Sequence, residues 1–186
     1  MIAEEESHAT KEPVSLPVVR GISPGNPRII LILLATALVG FASDQATKAL
    51  ALARLTDGES FPVIDGVLHF TLQRNPGAAF SLFTRFPIVF TVLAAAISIG
   101  IVAYRNRIPD RVHGFALGLV LAGATGNLAD RIARPPALFS GHVIDWIDFR
   151  VWPVFNIADS CIVVGAALLV LASWRHDRRA KESADA

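Results

Sequence analysis

Asn156 and Asp159 stand three residues apart at the head of an otherwise apolar run, WPVFNIADSCIVVGAALLVLASW, at 152–174. A carboxylate beside a lipid-solvated segment is costly and persists where it has a partner or a task. Similar groupings occur elsewhere: Asp44 with Lys48, and Asn127 with Asp130 and Arg131, while Asp145 and Asp148 precede Asn156. Residues three or four apart share a helix face, so each pair taken alone is explained by an ion pair or cap at a helix end. Together they offer more. Two aspartates brought close cannot both ionise cheaply, so one keeps a proton while the other serves as a base. Such a pair can activate water at a peptide carbonyl and protonate the leaving amine. Position nominates Asp159 with either Asp145 or Asp148.

Other chemistries are less well supplied. His142, Asp145 and Asp159 could hold a metal, since His142 and Asp145 have i, i+3 spacing, but His142 reads more simply as a loop or interfacial histidine. A Ser43–Lys48 nucleophile pair has a poor facing distance on a helix. Cys161, the single cysteine, excludes an internal disulfide and paired-cysteine zinc patterns, and it reads as a small packing residue. Asp44 and Asp159 could instead serve an ion pathway in a small transporter, or the chain could be a non-catalytic membrane subunit. A transporter, however, favours carboxylates near the bilayer midplane.

The elements that position these groups follow from hydropathy. Of 186 residues, 53% are hydrophobic and 18% charged, and the mean hydropathy is +0.50. This suits a chain solvated by lipid, and a net charge of +1 gives no basic surface for nucleic acid. Apolar stretches lie at 29–43, continuing helically through DQATKALALARL, and at 87–104, 112–129 and 154–174. Each approaches the roughly 20 residues a bilayer core requires. The fold expected is an α-helical integral membrane protein with four transmembrane helices. A cleaved leader at 29–43 would need a short basic start, whereas 28 residues with Glu4, Glu5, Glu6 and four prolines precede it.

The division expected is a disordered N-terminal tail (1–27), a membrane domain (28–174) and a solvated C-terminal tail (175–186). Arg105, Arg107 and Arg111 after the second span, and Arg175, Arg178, Arg179 and Lys181 after the fourth, place both termini in the cytoplasm. VLHFTLQ (67–73) alternates as a strand and Asn75-Pro76-Gly77 supplies a turn, so a small β element is expected on the extracytoplasmic side. On this topology the polar clusters fall at one depth, near the outer boundary.

The residues also carry a resemblance. DQATK (44–48), RNPGAAFS (74–81), GATGNLADR (123–131), HVIDWIDF (142–149) and FNIADSCIVVG (155–165) occur in the order found in the lipoprotein signal peptidases (signal peptidase II). The chain resembles these aspartic peptidases of the bacterial inner membrane from Arg28 to Trp174. The resemblance implies a catalytic pair of Asp145 and Asp159 and makes Asp148 a bystander or interfacial anchor. Supporting positions are Asp44, Lys48, Asn75, Gly77, Asn127, Arg131, Asn156 and Ala158, with Asn156 holding the pair. Asp130 is expected to pair with Arg131 or a neighbouring cation. The implied substrates are prolipoproteins carrying a diacylglyceryl-modified cysteine, cut just before that cysteine by water, without metal or other cofactor. Membrane lipids are the other expected partners, and the protein is expected as a monomer. Ala122 before Gly123, Trp146, and a long IARPPALFSG segment (132–141) depart from the family pattern.

Overall fold

A computed structural model describes residues 25–77 and 87–184. Most of the expected N-terminal tail (1–24), the end of the RNPGAAFS block (78–81) and residues 185–186 lie outside the described residues.

Four long helices dominate: α1 (Pro27–Arg54), α2 (Pro87–Tyr104), α3 (Arg111–Ala133) and α4 (Ile157–Ala184). All four contain windows of mean hydropathy between 1.4 and 2.0 and are long and apolar enough to cross a membrane. Their starts are chemically marked. Asn26 caps α1 by accepting from the Arg28 N–H ahead of Pro27 at the first turn, and Asp110 caps α3 by accepting from the His113 N–H. The structure carries α4 through 175–184, so the C-terminal segment continues the fourth helix for most of its length.

The third helix is the hub, packing against α1, α2 and α4. Small residues permit this. A side chain at Gly118 would meet Thr36 and the Leu33 carbonyl of α1, and one at Gly123 would strike the Ala158 carbonyl of α4. Close approach through small residues is how helices associate where lipid removes the hydrophobic drive. Large apolar side chains face outward instead, among them Leu31 and Leu38 of α1, Val92 and Ile99 of α2, and Val163 and Val170 of α4. The buried apolar core is accordingly small: Ile29, Leu33, Ile101, Ile108 and Leu121.

At the end of the bundle opposite the basic Arg105–Arg107 turn lies an antiparallel sheet of order β1-β2-β3. Its strands are β1 (Ser60–Ile64), β2 (Leu68–Asn75) and β3 (Val143–Asp148). The expected alternating strand is β2. The segment leading to the fourth span, read from sequence as a plain connection, contains β3. It pairs with β2 in a register that sets Asp145 opposite Gln73 and Val143 opposite Asn75. Leu72, Ile144 and Ala51 seal the sheet against α1. The cost of burying backbone is met by the ladder.

Candidate active site

Each polar cluster is built by a local rule and then joined to the others. Asn156 precedes α4 and Asp159 is its third residue, and the two cap each other. The Asp159 N–H donates to Asn156 Oδ1 at 2.9 Å, and the Asn156 N–H donates to Asp159 Oδ2 at 3.3 Å. This reciprocal capping box explains the i, i+3 spacing. It leaves the Asn156 side-chain NH2 free to point at β3, where it donates to Asp145 Oδ1 at 2.6 Å. A single asparagine therefore ties together the two candidate carboxylates.

Two further amides complete the arrangement. Asn75, at the end of β2, donates to Asp145 Oδ2 at 2.9 Å, and its own Oδ1 accepts from the Gly77 N–H at 2.8 Å. Gly77 has φ +119°, a conformation that favours glycine. Asn127 of α3 donates to Asp159 Oδ1 at 2.8 Å. Asp145 is 1% exposed. Burial first, and the Asp159 carboxylate second, push its pKa up to about 7 against the pull of the Asn75 and Asn156 hydrogen bonds.

Behind the carboxylates lies a buried charge cluster. Lys48 Nζ sits 2.8 Å from Asp44 Oδ2, 2.8 Å from Asp130 Oδ2 and 3.1 Å from Asn127 Oδ1. Its two acids also reach other elements. Asp44 Oδ1 accepts from the Ala158 N–H of α4 at 3.0 Å, and Asp130 Oδ2 accepts from the Ile144 N–H of β3 at 3.2 Å. Ala158 is fully buried beside Gly126, where a larger side chain has no room. Asp130 also pairs with Arg134, so the cations it takes are Lys48 and Arg134. Arg131 instead faces the cavity, with its guanidinium 5.6 Å from the Phe90 ring centroid and one long bond, 3.5 Å, to the Gly141 carbonyl.

Asp145 and Asp159 share a cavity of about 310 Å³ with Asn75, Gly77, Asn127 and Arg131 at its polar end. Phe90, Leu93, Ala94 and Ile97 of α2, Ala124 of α3 and Ile162 of α4 continue it as an apolar wall. A larger groove of about 630 Å³ between α1, α2 and α3 is lined by apolar side chains with Ser98 and Thr125 and by no ionisable one. Asp148 stands apart from the cavity. It accepts from Thr71 Oγ1 at 3.1 Å and from the Arg150 N–H at 2.7 Å, fastening the end of the sheet.

Thus every site residue expected from the sequence is brought to one end of the bundle. Asp145, Asp159, Asn75, Gly77, Asn127 and Arg131 line the cavity, while Asp44, Lys48, Asn156 and Ala158 form its support. Sequence reasoning missed Phe90, whose ring seats Arg131, and Arg134, whose i, i+4 spacing from Asp130 was the available signal.

Comparison with known proteins agrees with this architecture. The family described as Signal peptidase (SPase) II matches residues 36–175, which include all of these positions. A lipoprotein signal peptidase of Mycobacterium leprae is 44% identical over 147 residues, covering 79% of this chain and 73% of the relative. One from Mycolicibacterium smegmatis is 41% identical over 170 residues, covering 91% and 72%. One from Streptomyces coelicolor is 42% identical over 148 residues, covering 80% and 72%. A bacterial membrane enzyme solved by the in meso method at 2.3 Å superposes with a TM-score of 0.66 at 30% identity, covering 80% of this chain and 88% of that one. A second, at 1.9 Å, gives 0.63 at 31% identity, covering 78% and 92%. The sheet and the polar clusters fall within the family match, and the chain belongs to the signal peptidase II family of multi-pass bacterial membrane proteins.

Proposed function

We propose that this protein is an aspartic endopeptidase that removes the signal peptide from diacylglyceryl-modified prolipoproteins, with Asp145 and Asp159 as its catalytic pair. The observation that carries the reading is the Asn156 capping box, which holds one carboxylate on α4 and binds the other on β3. A water between the carboxylates loses a proton to the ionised aspartate as its oxygen attacks the scissile carbonyl. The protonated aspartate supplies the proton that lets the amine leave. The products are a free signal peptide carboxylate and a lipoprotein beginning at the lipidated cysteine. Arg131 is placed to bind the peptide's polar backbone, and the apolar wall from Phe90 to Ile162 suits the signal helix and acyl chains.

A metal-free mechanism fits the amides, which direct N–H groups onto the carboxylate oxygens that a cation would need as ligands. The basic residues at the far end of the bundle support, by the positive-inside rule, cytoplasmic termini and a cavity near the extracytoplasmic surface. There a lipid-anchored peptide presents its scissile bond. The test is cleavage of a diacylglyceryl-modified prolipoprotein by purified protein. Asp145→Asn and Asp159→Asn should each abolish turnover while remaining folded, and a chelator should leave the wild type active. Full activity in either variant, or loss of activity on chelation, refutes the reading.

A further inference from the structure

Two hollows open where the end of α1 meets the sheet, apart from the aspartates. Successive strand residues point to opposite faces, so Asp145 lines the active-site cavity while Trp146 lines the first hollow. That hollow, about 300 Å³, lies between Leu50, Ala51 and Arg54 of α1 and Phe70 and Trp146 of the sheet. The second, about 290 Å³, shares Arg54 and Leu55 with it and continues to Glu59 and Phe61. Neither has a residue in common with the cavity of Asp145 and Asp159.

Three polar groups of these hollows have no partner among the described residues. The Trp146 Nε1 is buried without a hydrogen bond, a state native proteins rarely keep. Arg54 and Glu59 are exposed, and neither enters an ion pair, although both line the second hollow. Asp57, close in sequence to both, is taken by Arg74. The rest of the first hollow is apolar, with the Trp146 ring edge-on to Phe70 at 5.2 Å between centroids. Arg54 stands in the last turn of α1, and the exposed Leu50 lies one turn before it. Charge and hydrocarbon thus follow each other along the helix as the head and chain of a membrane lipid do.

The chemistry left over defines its complement. Arg54 and the indole N–H are donors, and they require an anionic group rich in acceptors. Glu59 beside the Phe61 ring requires a cation, because a carboxylate and an aromatic face both attract an ammonium. The floor of Leu50, Ala51 and Phe70 requires hydrocarbon. We propose that the two hollows together bind an aminated phospholipid, with its phosphate at Arg54 and Trp146, its ammonium at Glu59 and Phe61, and an acyl chain along Leu50 and Phe70. A purely anionic lipid would leave Glu59 opposing it. The Trp146 main-chain N–H donates to the Phe155 carbonyl at 3.0 Å, so the seated lipid braces β3 against the segment that enters α4.

The test uses the full chain, delipidated in detergent, and follows tryptophan fluorescence as dioleoyl lipids are added. Phosphatidylethanolamine should bind saturably. Phosphatidylglycerol, diacylglycerol and inorganic phosphate should each bind at least about tenfold more weakly, the scale of one charge-assisted contact. Arg54→Gln should weaken phosphatidylethanolamine about tenfold as well, whereas Arg105→Gln at the far end of the bundle should not. Glu59→Gln should reverse the preference in favour of phosphatidylglycerol. Both substituted side chains are exposed and unpaired, so the variants should keep the helical circular dichroism of the wild type. Trp146→Phe keeps a ring but removes the N–H, and it should lose most of the fluorescence response although Trp152 and Trp174 remain. Diacylglycerol bound as tightly as phosphatidylethanolamine shows only an apolar surface, and phosphate bound as tightly shows only an anion site; either overturns the proposal. A preference unmoved by Glu59→Gln, or equal losses in Arg54→Gln and Arg105→Gln, overturns it too. Cleavage enters none of these readouts, so failure here leaves the two-aspartate reading standing.

Discussion

Lys48 on α1 and Asp130 on α3 meet with 2.8 Å between Nζ and Oδ2, both side chains fully buried. Because Asp44 closes the other side of the ammonium, one cation holds two acids that in turn bind α4 and β3. Removing one partner of a buried ion pair leaves an uncompensated charge, at a cost of about 3–5 kcal/mol. Lys48→Met alone should therefore lower the thermal midpoint sharply. Lys48→Met with Asp44→Asn should recover part of that loss, as measured by thermal unfolding of purified protein. Equal destabilisation in both proteins would show that the charge left behind is not what matters.

Asn156 is asked to do two things, and two substitutions separate them. Asn156→Ala loses the cap, about 1 kcal/mol, together with the donor to Asp145. Asn156→Asp keeps an oxygen for the Asp159 N–H but replaces the NH2 with a third carboxylate against Asp145. The aspartate variant should stay closer to wild type in stability at pH 5 than the alanine variant does. Both should lose activity at least about a hundredfold, on the scale of positioned acid–base catalysis. Near-normal turnover in the aspartate variant would remove the amide from the mechanism.

The elevated pKa of Asp145 gives stability a pH dependence of definite sign. Its ordinary value is 3.8, and burial followed by repulsion from Asp159 raises it to about 7 in the folded protein. The folded state thus binds the proton more tightly. This contribution is full below pH 4, declines as pH rises towards 7 and is gone above it. Asp145→Asn should flatten that decline and be the more stable protein at pH 8, by about 1–3 kcal/mol. Thermal midpoints of the two proteins across pH 4.5–8 check it, and parallel curves would contradict it.

Gly123 and Gly126 set the distance between α3 and α4. A methyl at Gly123 would fall on the Ala158 carbonyl, and one at Gly126 would lie 2.6 Å from Asp44 Oδ2 and 3.2 Å from the Ala158 Cβ. Gly123→Ala forces α4 outward at the level of its capping box and Gly126→Ala drives the Asp44 carboxylate from the Ala158 turn, each costing about 1–3 kcal/mol as overpacking does. Activity should fall by more than the stability loss explains, because the displaced helix carries Asp159. By contrast, Gly100→Ala on α2, where a side chain meets open space, should be neutral in both assays.

Much of this arrangement is legible in the sequence. Long uncharged runs reveal the helices because lipid demands them, and i, i+3 or i, i+4 spacing reveals which polar residues share a face. Asp44 with Lys48 and Asn156 with Asp159 do meet as that spacing predicts. The strand under Asp145 was harder to see. Val143, Ile144 and Asp145 are all buried, so the alternation that exposes a half-buried strand is muted. Its pairing partner, β2, is also some 70 residues earlier, as the Asn75–Asp145 bond records. The choice between Asp145 and Asp148 likewise needed tertiary structure, or a family pattern, because it depends on which residue of β3 meets Asn156. Arg131 suggested itself as the neighbour of Asp130, yet adjacent residues on a helix point to different faces. The two accordingly serve the cavity and the buried cluster.

The bond from Asp44 to the Ala158 N–H joins the first helix to the last. It also sets a condition on biogenesis. A chain that has inserted only α1, β2, α3 and β3 already possesses Asp145, Lys48 and Asn127, yet it holds a solitary acid and an unclosed clamp. With Asp145 and Asp159 as the proposed pair, hydrolytic competence is expected only when the fourth helix is threaded and its first turn docks under Asp44. On the two-aspartate reading, a nascent copy therefore stays inert towards the precursors in the same membrane until that helix has been inserted.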